Sequence, residues 1–254
     1  MNLFNELINN ANNGVYVEPF LGSGAVFINL PDKFDLYIIN DIDKNIMNIW
    51  QSVLNFSYKD FVDVKNNIFE IFGDIKNNKD SYYNFRNFYN DYYHFESKEE
   101  KGIFLYFLAN SCINSLLRFG KSGMNQSFGN RFYIFDEQTF NKIKNKLLKS
   151  QIYNVDYREL KNINNSIVYL DPPYFGTDVT YEKQFEKNDL TELIDYIKIY
   201  SNSNKILYSD LENEVSDSLL NCNFKKIETK NMRNISPNRN KEFTNKKEVI
   251  YYNG

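Results

Sequence analysis

At 254 residues and 42% apolar content, the chain can bury a sizeable core, as one large domain or one with an insertion, and is too apolar for disorder. It has no apolar run of about 18 residues, and its start, "MNLFNELINN", has neither the basic segment nor the long apolar stretch of a leader, so no membrane span is expected and the cytoplasm is the expected compartment. Cys112, Cys222 and one histidine, His94, argue against a zinc set, a Ser-His-Asp triad or a disulfide framework, and a net charge of −3 does not advertise a nucleic-acid binder.

In chain order, residues 1–12 predict a short helix with Leu3, Phe4, Leu7 and Ile8 on one face, stopped by "NNG". "VYVE" at 15–18 predicts a strand that runs into the glycine loop "PFLGSG", and "AVFINL" then starts a helix that Pro31 ends. "DLYIIND" at 35–41 predicts a second buried strand, and "IMNIWQSVL" a helix with Ile46, Ile49, Trp50 and Val53 on one side. Strand, glycine loop, helix, strand, helix is the opening of a doubly wound α/β sheet.

From about 55 to 118 the periodicity is helical with no convincing strand, and Gly120, Gly123 and Gly129 interrupt the chain around "FGKSGMNQSFGN". After 150 the α/β rhythm returns. "IYNVDY" and "SIVYL" predict strands, "LTELIDYIKIY" a helix and "KILYSD" a strand, while "FKKIETK" and "EVIYYN" can pair as a closing antiparallel hairpin. The expected organisation is an α/β domain over 1–54 and 136–254, with a helical insertion over 55–135.

Charge is uneven along the chain. Between Lys225 and Lys247 stand eight basic residues (225, 226, 230, 233, 239, 241, 246 and 247) and two acidic ones (228 and 242), a balance of +6. Such a run is either a solvated face or a phosphate-contacting loop. The many Phe and Tyr residues, 22 and 20, accompany abundant Asn, Lys and Ile, as AT-rich codons produce, so aromatic abundance alone does not argue for base stacking.

Two short stretches carry chemistry. In "EPFLGSG", Gly22 and Gly24 stand where a strand turns into a helix, so backbone can approach a ligand closely. The dinucleotide pattern G-x-G-x-x-G is not met, because Phe27 holds its third position. Asp41, at the end of the next strand, can accept both ribose hydroxyls of a nucleoside. Glu18 would repel a diphosphate but suits a cation, and S-adenosylmethionine is a nucleoside with a positive centre and no phosphate. Glu18 can equally cap a strand end, and Asp41 a helix.

The second stretch is "IVYLDPPYFGT". Ile167 to Leu170 read as an interior strand, and Pro172 and Pro173 end it stiffly. An exocyclic base amine is a poor nucleophile because its lone pair is delocalised into the ring. Accepting hydrogen bonds from both amino hydrogens favours a pyramidal nitrogen with its lone pair aimed at a methyl donor. Asp171 supplies one acceptor, the Pro172 carbonyl another, and Tyr174 can stack on a flipped base. This chemistry needs no strong general base, in keeping with a single histidine.

The motifs "EPFLGSGAVF", "YYNFRNFYN", "FLYFLANSCINSLLRFGKSGMNQSFG", "NVDY", "DPPY" and "KILYSDLEN" together resemble the Dam-like N6-adenine DNA methyltransferase family, in the family's order from residue 15 onward. The resemblance implies a Rossmann-like S-adenosylmethionine-dependent methyltransferase fold with a helical target-recognition insertion, and double-stranded DNA as partner. It implies that Glu18, Pro19, Phe20, Gly22, Ser23 and Gly24 line the cofactor's methionine side. Asp41 would take the ribose, and Asp156 and Tyr157 would meet the adenine. Asp171, Pro172, Pro173 and Tyr174 would form the catalytic pocket. Arg118 matches a family arginine that reads guanine in the major groove, with Asn114, Leu116 and Asn125 at neighbouring matched positions. Leu116 as core and the two asparagines as turn caps are the structural alternatives. The basic segment falls where the family has a late loop near DNA, which favours phosphate contacts from Arg233, Arg239 and Lys241.

The chain departs from the family in two places. Members usually carry Lys and paired glycines before the first helix, whereas "MNLFNELINNANNG" has no Lys and one Gly, and "EVIYYNG" does not restore the motif. Weak cofactor affinity, or a partner subunit that completes the pocket, is the expectation. Gly120 also stands where an Asn is common, so the target sequence is not carried over. A catalytically impaired relative that binds DNA or a partner, and an amino methyltransferase acting on RNA or protein, are the alternative readings.

Overall fold

The computed structural model describes residues 8, 14–92, 95–129, 132–174, 186–228 and 247–254. The chain divides into two compact units, one formed by residues 1–42 with most of 150–254, the other by 43–149. These divisions fall at 42/43 and 149/150, where periodicity along the sequence put them at 54/55 and 135/136. Of the predicted helix over 1–12, only Ile8 is described, and it is helical and buried; the rest lies outside the described residues.

The α/β unit is built on β1 (Val15–Glu18), β2 (Leu36–Asn40), β5 (Ser150–Tyr153), β6 (Ser166–Leu170), β7 (Lys205–Leu211), β8 (Phe224–Glu228) and β9 (Glu248–Asn253). Among the described residues these form one sheet in the order β5-β2-β1-β6-β7-β9-β8. The strands from β5 to β7 pair in parallel, and β9 closes the sheet antiparallel to both β7 and β8. The hairpin expected from "FKKIETK" and "EVIYYN" is therefore formed.

Both faces of this sheet are covered, which is why its inner strands are apolar throughout rather than alternating. On one face Val17, Val168, Leu170, Ile206 and Tyr208 pack with Leu190, Leu193, Ile194 and Ile197 of the helix α7 (Lys187–Tyr200) in a single cluster. On the other, Tyr16 packs against Phe34 and Tyr37, and Tyr37 against Phe27 of the short helix α1 (Ala25–Asn29), with ring centroids 5.5 to 6.3 Å apart. Since side chains alternate along a strand, Glu18 shares its side of β1 with Tyr16.

One predicted strand is shorter than its pattern. "IYNVDY" runs extended only to Tyr153, the end of β5, and Tyr157–Glu159 form a 3-10 turn for which Asp156 is the cap, its side chain accepting from the Arg158 N–H. Alternating apolar residues carried the strand reading, but the strand ends because Asp156 caps the following turn locally, while Asn154 turns its amide to the distant Asp41 and Ile42 carbonyls.

The helical unit contains α2 (Lys44–Asn55), α3 (Tyr58–Phe72), α4 (Lys79–Asp91), α5 (Lys98–Ser111) and α6 (Glu137–Leu148). Each begins at a side-chain cap, respectively Asp43, Ser57, Asn78, Ser97 and Asp136. α2 and α5 pack closely because Gly102 has no side chain: a Cβ there would strike Ser52 Oγ and the Asn48 carbonyl. Between α5 and α6 the chain forms a hairpin closed by the two-residue strands β3 (Phe119–Gly120) and β4 (Gly123–Met124). Ladder-like bonds continue down its stem, from Asn125 N–H to the Arg118 carbonyl (2.9 Å), Ile113 N–H to Ser127 (3.0 Å) and Gly129 N–H to Ser111 (2.8 Å).

Candidate active site

The strand order turns at β1. The chain crosses from β1 to β2 on one side, whereas β6 and β7 lie on the other, so the carboxyl ends of β1 and β6 flank a topological switch point, where open α/β sheets bind ligands. Three carboxylates converge there. Glu18 ends β1, Asp41 follows β2 and Asp171 follows β6. Glu18 is only 2% exposed, and its Oε2 accepts the Tyr16 hydroxyl at 2.7 Å. Burial, followed by the negative charges of Asp171 and Asp41, pushes its carboxyl up to about 8, against the pull of the Tyr16 and Phe27 donors. A buried acid among other acids gains from a nearby cation, which favours its ionised form.

The glycine loop is bound to the second strand. The Gly22 N–H donates to Asp41 Oδ2 at 2.8 Å and the Leu21 N–H to the Asn40 carbonyl at 2.8 Å. Gly22 holds a left-handed φ of 51°, with nothing within 4 Å of the place a Cβ would take, so its face toward solvent is open. Asn40, buried at the end of β2, ties three segments together. Its Nδ2 donates to the Pro19 carbonyl (2.9 Å) and the Val155 carbonyl (3.0 Å), and its Oδ1 accepts the Val155 N–H (3.0 Å). Asn154 donates to the Asp41 carbonyl at 2.7 Å. The sequence reading passed over both asparagines. The signal for Asn40 was a polar residue inside an otherwise apolar strand, "LYIIN".

Asp156 and Tyr157 follow β5 on the same edge. Asp156 Oδ2 pairs with Arg158 at 2.9 Å, and Arg158 also reaches Asp189 and Glu192. Tyr157 is 5% exposed, its ring 5.1 Å from Phe20 and 5.3 Å from Tyr196, so much of its side chain serves the core. After β6, Asp171 and Tyr174 are half-buried and Pro172 is buried. The Tyr174 hydroxyl donates to Glu248 Oε1 at 2.8 Å. The sheet edge thus carries Glu18, Pro19, Phe20, Gly22, Asp41, Asp156, Asp171 and Tyr174 on loops that share hydrogen bonds and charge.

A match to the family model for D12 class N6 adenine-specific DNA methyltransferases spans residues 1–235. The chain belongs to this class. It is an enzyme of adenine methylation in DNA, and its mostly parallel sheet with flanking helices is consistent with a Rossmann-like methyltransferase fold. Relatives include the Type II methyltransferase M.CviBI of Paramecium bursaria Chlorella virus NC1A, 22% identical over 83% of this chain and 80% of its own length. The Type II methyltransferase M.MjaIII of Methanocaldococcus jannaschii is 28% identical over 89% of this chain and 84% of its own length. The DNA adenine methylase of Serratia marcescens is 31% identical over 65% of this chain, which spans 59% of that protein.

In the helical unit, Asn114, Leu116, Arg118 and Asn125 all lie on the hairpin between α5 and α6 and all are exposed. Leu116, at 39% exposure, is not core. Asn114 adopts a left-handed φ of 58° within a 3-10 turn. α4, which contains all of "YYNFRNFYN", grips this hairpin from one face. The Tyr82 hydroxyl and Arg86 donate to the Gln126 carbonyl at 2.8 and 3.0 Å. The Asn90 amide bonds both the carbonyl (2.9 Å) and the N–H (2.8 Å) of Met124.

Arg233, Arg239 and Lys241 lie outside the described residues. At the ends of the basic segment, Lys226 is paired with Glu212 and Asp217 at 2.7 and 2.8 Å, and Lys247 with Glu228 at 2.8 Å. Among the described residues no helix is long and apolar enough to cross a membrane, and no group of three or more His, Cys, Asp or Glu could hold a metal.

Proposed function

We propose that this enzyme methylates N6 of an adenine flipped out of duplex DNA, with S-adenosylmethionine as methyl donor, and that Asp171 to Tyr174 carry the reaction. The observation that supports this is the convergence of Glu18, Asp41 and Asp171 on the carboxyl edge of the sheet, at the switch point, with D-P-P-Y leaving β6 directly into it. Such an acidic edge suits a cationic nucleoside. Glu18 and the Gly22 loop would hold its charged end and Asp41 its ribose, with Asp156 and Tyr157 toward its base. When bound, the cofactor supplies an electrophilic methyl group.

The chain's own residues do the rest. Asp171 and the Pro172 carbonyl accept the two amino hydrogens of the adenine and so orient its nitrogen lone pair, while Tyr174 stacks on the ring. The nitrogen becomes acidic as it takes the methyl group, so the proton leaves without a strong base. In the helical unit, exposed Arg118 is suited to bidentate contact with guanine O6 and N7, with Asn114, Leu116 and Asn125 beside it on the hairpin. On this reading the enzyme works in the cytoplasm of a bacterial or phage-infected cell. A partner subunit that completed the methionine end of the pocket would raise cofactor affinity above that of the purified chain.

The purified chain is incubated with labelled S-adenosylmethionine and unmethylated mixed-sequence duplex, beside Asp171→Ala. Label in N6-methyladenine with the wild type and none with the variant is the expected result, and mapping the sites gives the target. Transfer by Asp171→Ala would overturn the assignment of Asp171. Stronger competition by RNA than by duplex DNA would overturn the substrate.

A further inference from the structure

Stacking on a base needs only an aromatic face, and phenylalanine would supply one. The hydroxyl of Tyr174 therefore calls for its own explanation. It donates to Glu248 Oε1 at 2.8 Å in a partly buried setting. Glu248 is the first residue of β9 and stands opposite Leu211 of β7 in the antiparallel ladder, so its backbone is fixed by the sheet. Ser209 of β7, 4% exposed, also reaches the Tyr174 hydroxyl. Burial, then the neighbouring Asp171 charge, hold the phenol well above its usual range, so at neutral pH it is a donor.

A tyrosine ring has two soft torsions. A hydroxyl tied to a charged acceptor on a rigid strand fixes both, and bonds to ionised acceptors are roughly twice as strong as neutral ones. We propose that Glu248 is a positioning residue for methyl transfer, orienting the Tyr174 ring so that the stacked adenine presents N6 to the methyl group in line. This rests on Tyr174 being the platform for the flipped base. Glu248 touches neither substrate nor cofactor in this role. Its contribution is to rate, through geometry, rather than to affinity.

The test measures single-turnover methylation, KM for DNA and for cofactor, and thermal stability, using the full chain and duplex DNA containing its mapped site. Glu248→Ala is expected to slow transfer about tenfold with KM changed less than about twofold, and Glu248→Gln, which keeps an acceptor, to retain most of the rate. Tyr174→Phe, which also removes the Ser209 contact, is expected to lose at least as much rate as Glu248→Ala, and the double variant to be no slower than Tyr174→Phe, because the Glu248 bond is already gone in it. Independent, additive losses, or a loss confined to KM, would overturn the proposal. Should Glu248→Ala fail to fold, Tyr174→Phe, which leaves the strand untouched, is measured beside Ser209→Ala: an unchanged rate in Tyr174→Phe, or an equal loss in Ser209→Ala, refutes the inference. Tyr174→Ala separates the two layers. A silent Tyr174→Ala removes the stacking role, whereas an inactive Tyr174→Ala beside a fully active Tyr174→Phe keeps stacking and removes Glu248.

Discussion

Glu18 ends β1 among Tyr16, Asp41 and Asp171, and its carboxyl titrates near 8 because burial opposes its charge. In the unfolded chain the same group ionises in the ordinary carboxylate range. Below that range both states are protonated and the group contributes nothing. Between it and about 8 the folded state holds more protons than the unfolded one, so stability falls as pH rises, and above about 8 the loss is complete. A bound cation reverses the balance by favouring the ionised carboxylate. Thermal unfolding of the cofactor-free protein is thus expected to show a Tm that declines from pH 5 to pH 8, a decline that Glu18→Gln flattens. An equally steep decline in the variant would mean that other groups set the slope. At this scale "EPFLGSG" and "DPPY" were legible because a glycine loop and a rigid acceptor turn each need particular residue types. Asn40, Asn154 and Tyr16 were not, since their roles depend on which strands become neighbours.

The hairpin between α5 and α6 shows what an element adds to its residues. Its two-residue strands are too short to be stable alone, and the Asn90 amide extends the ladder by bonding both backbone groups of Met124. Tyr82, Arg86 and Asn90 stand four residues apart, on one stripe of α4. Asn90→Ala is expected to cost about 1–3 kcal/mol in local stability, because it leaves Met124 groups without their partners. Amide exchange should rise at Met124 to Ser127, and discrimination between the target and near-target sites should fall more than the rate at the target itself. Unchanged exchange across the hairpin would show that α4 does not hold it. Apolar periodicity revealed the helices α2 to α5, and their caps are ordinary Asp, Ser and Asn residues, but the grip on the hairpin was hidden. "YYNFRNFYN" shows helical spacing without showing what its polar stripe bonds to.

At the scale of the whole chain, the two units carry different chemistry, with the acidic site in the α/β unit and the exposed Arg118 in the helical one. The return of strand patterns after 150 made the interrupted α/β fold readable. The 43–149 division was less so, because α2 follows β2 as any crossover helix would, and its packing on α5 and α6 joins it to the helical unit. Arithmetic on the sequence also overstated the free charge of the basic segment. Lys226 sits between Glu212 and Asp217, which lie outside the segment, so part of the +6 is neutralised within the protein, whereas the Lys247–Glu228 pair is already netted in that sum. Each phosphate contact adds about 0.9 to the slope of log K against log salt on duplex DNA. Alanine at Arg233, Arg239 or Lys241 is expected to weaken binding on every sequence alike and to make the slope shallower by about 1 each. Lys226→Ala should leave the slope unchanged, its ammonium being already paired. Arg118→Ala should instead narrow the gap between target and non-target DNA, which a base contact sets and a phosphate contact does not. Salt titrations on target and random duplexes distinguish the three behaviours. A uniform loss from Arg118→Ala with a shallower slope would make it a phosphate ligand, and would leave base reading to the rest of the hairpin.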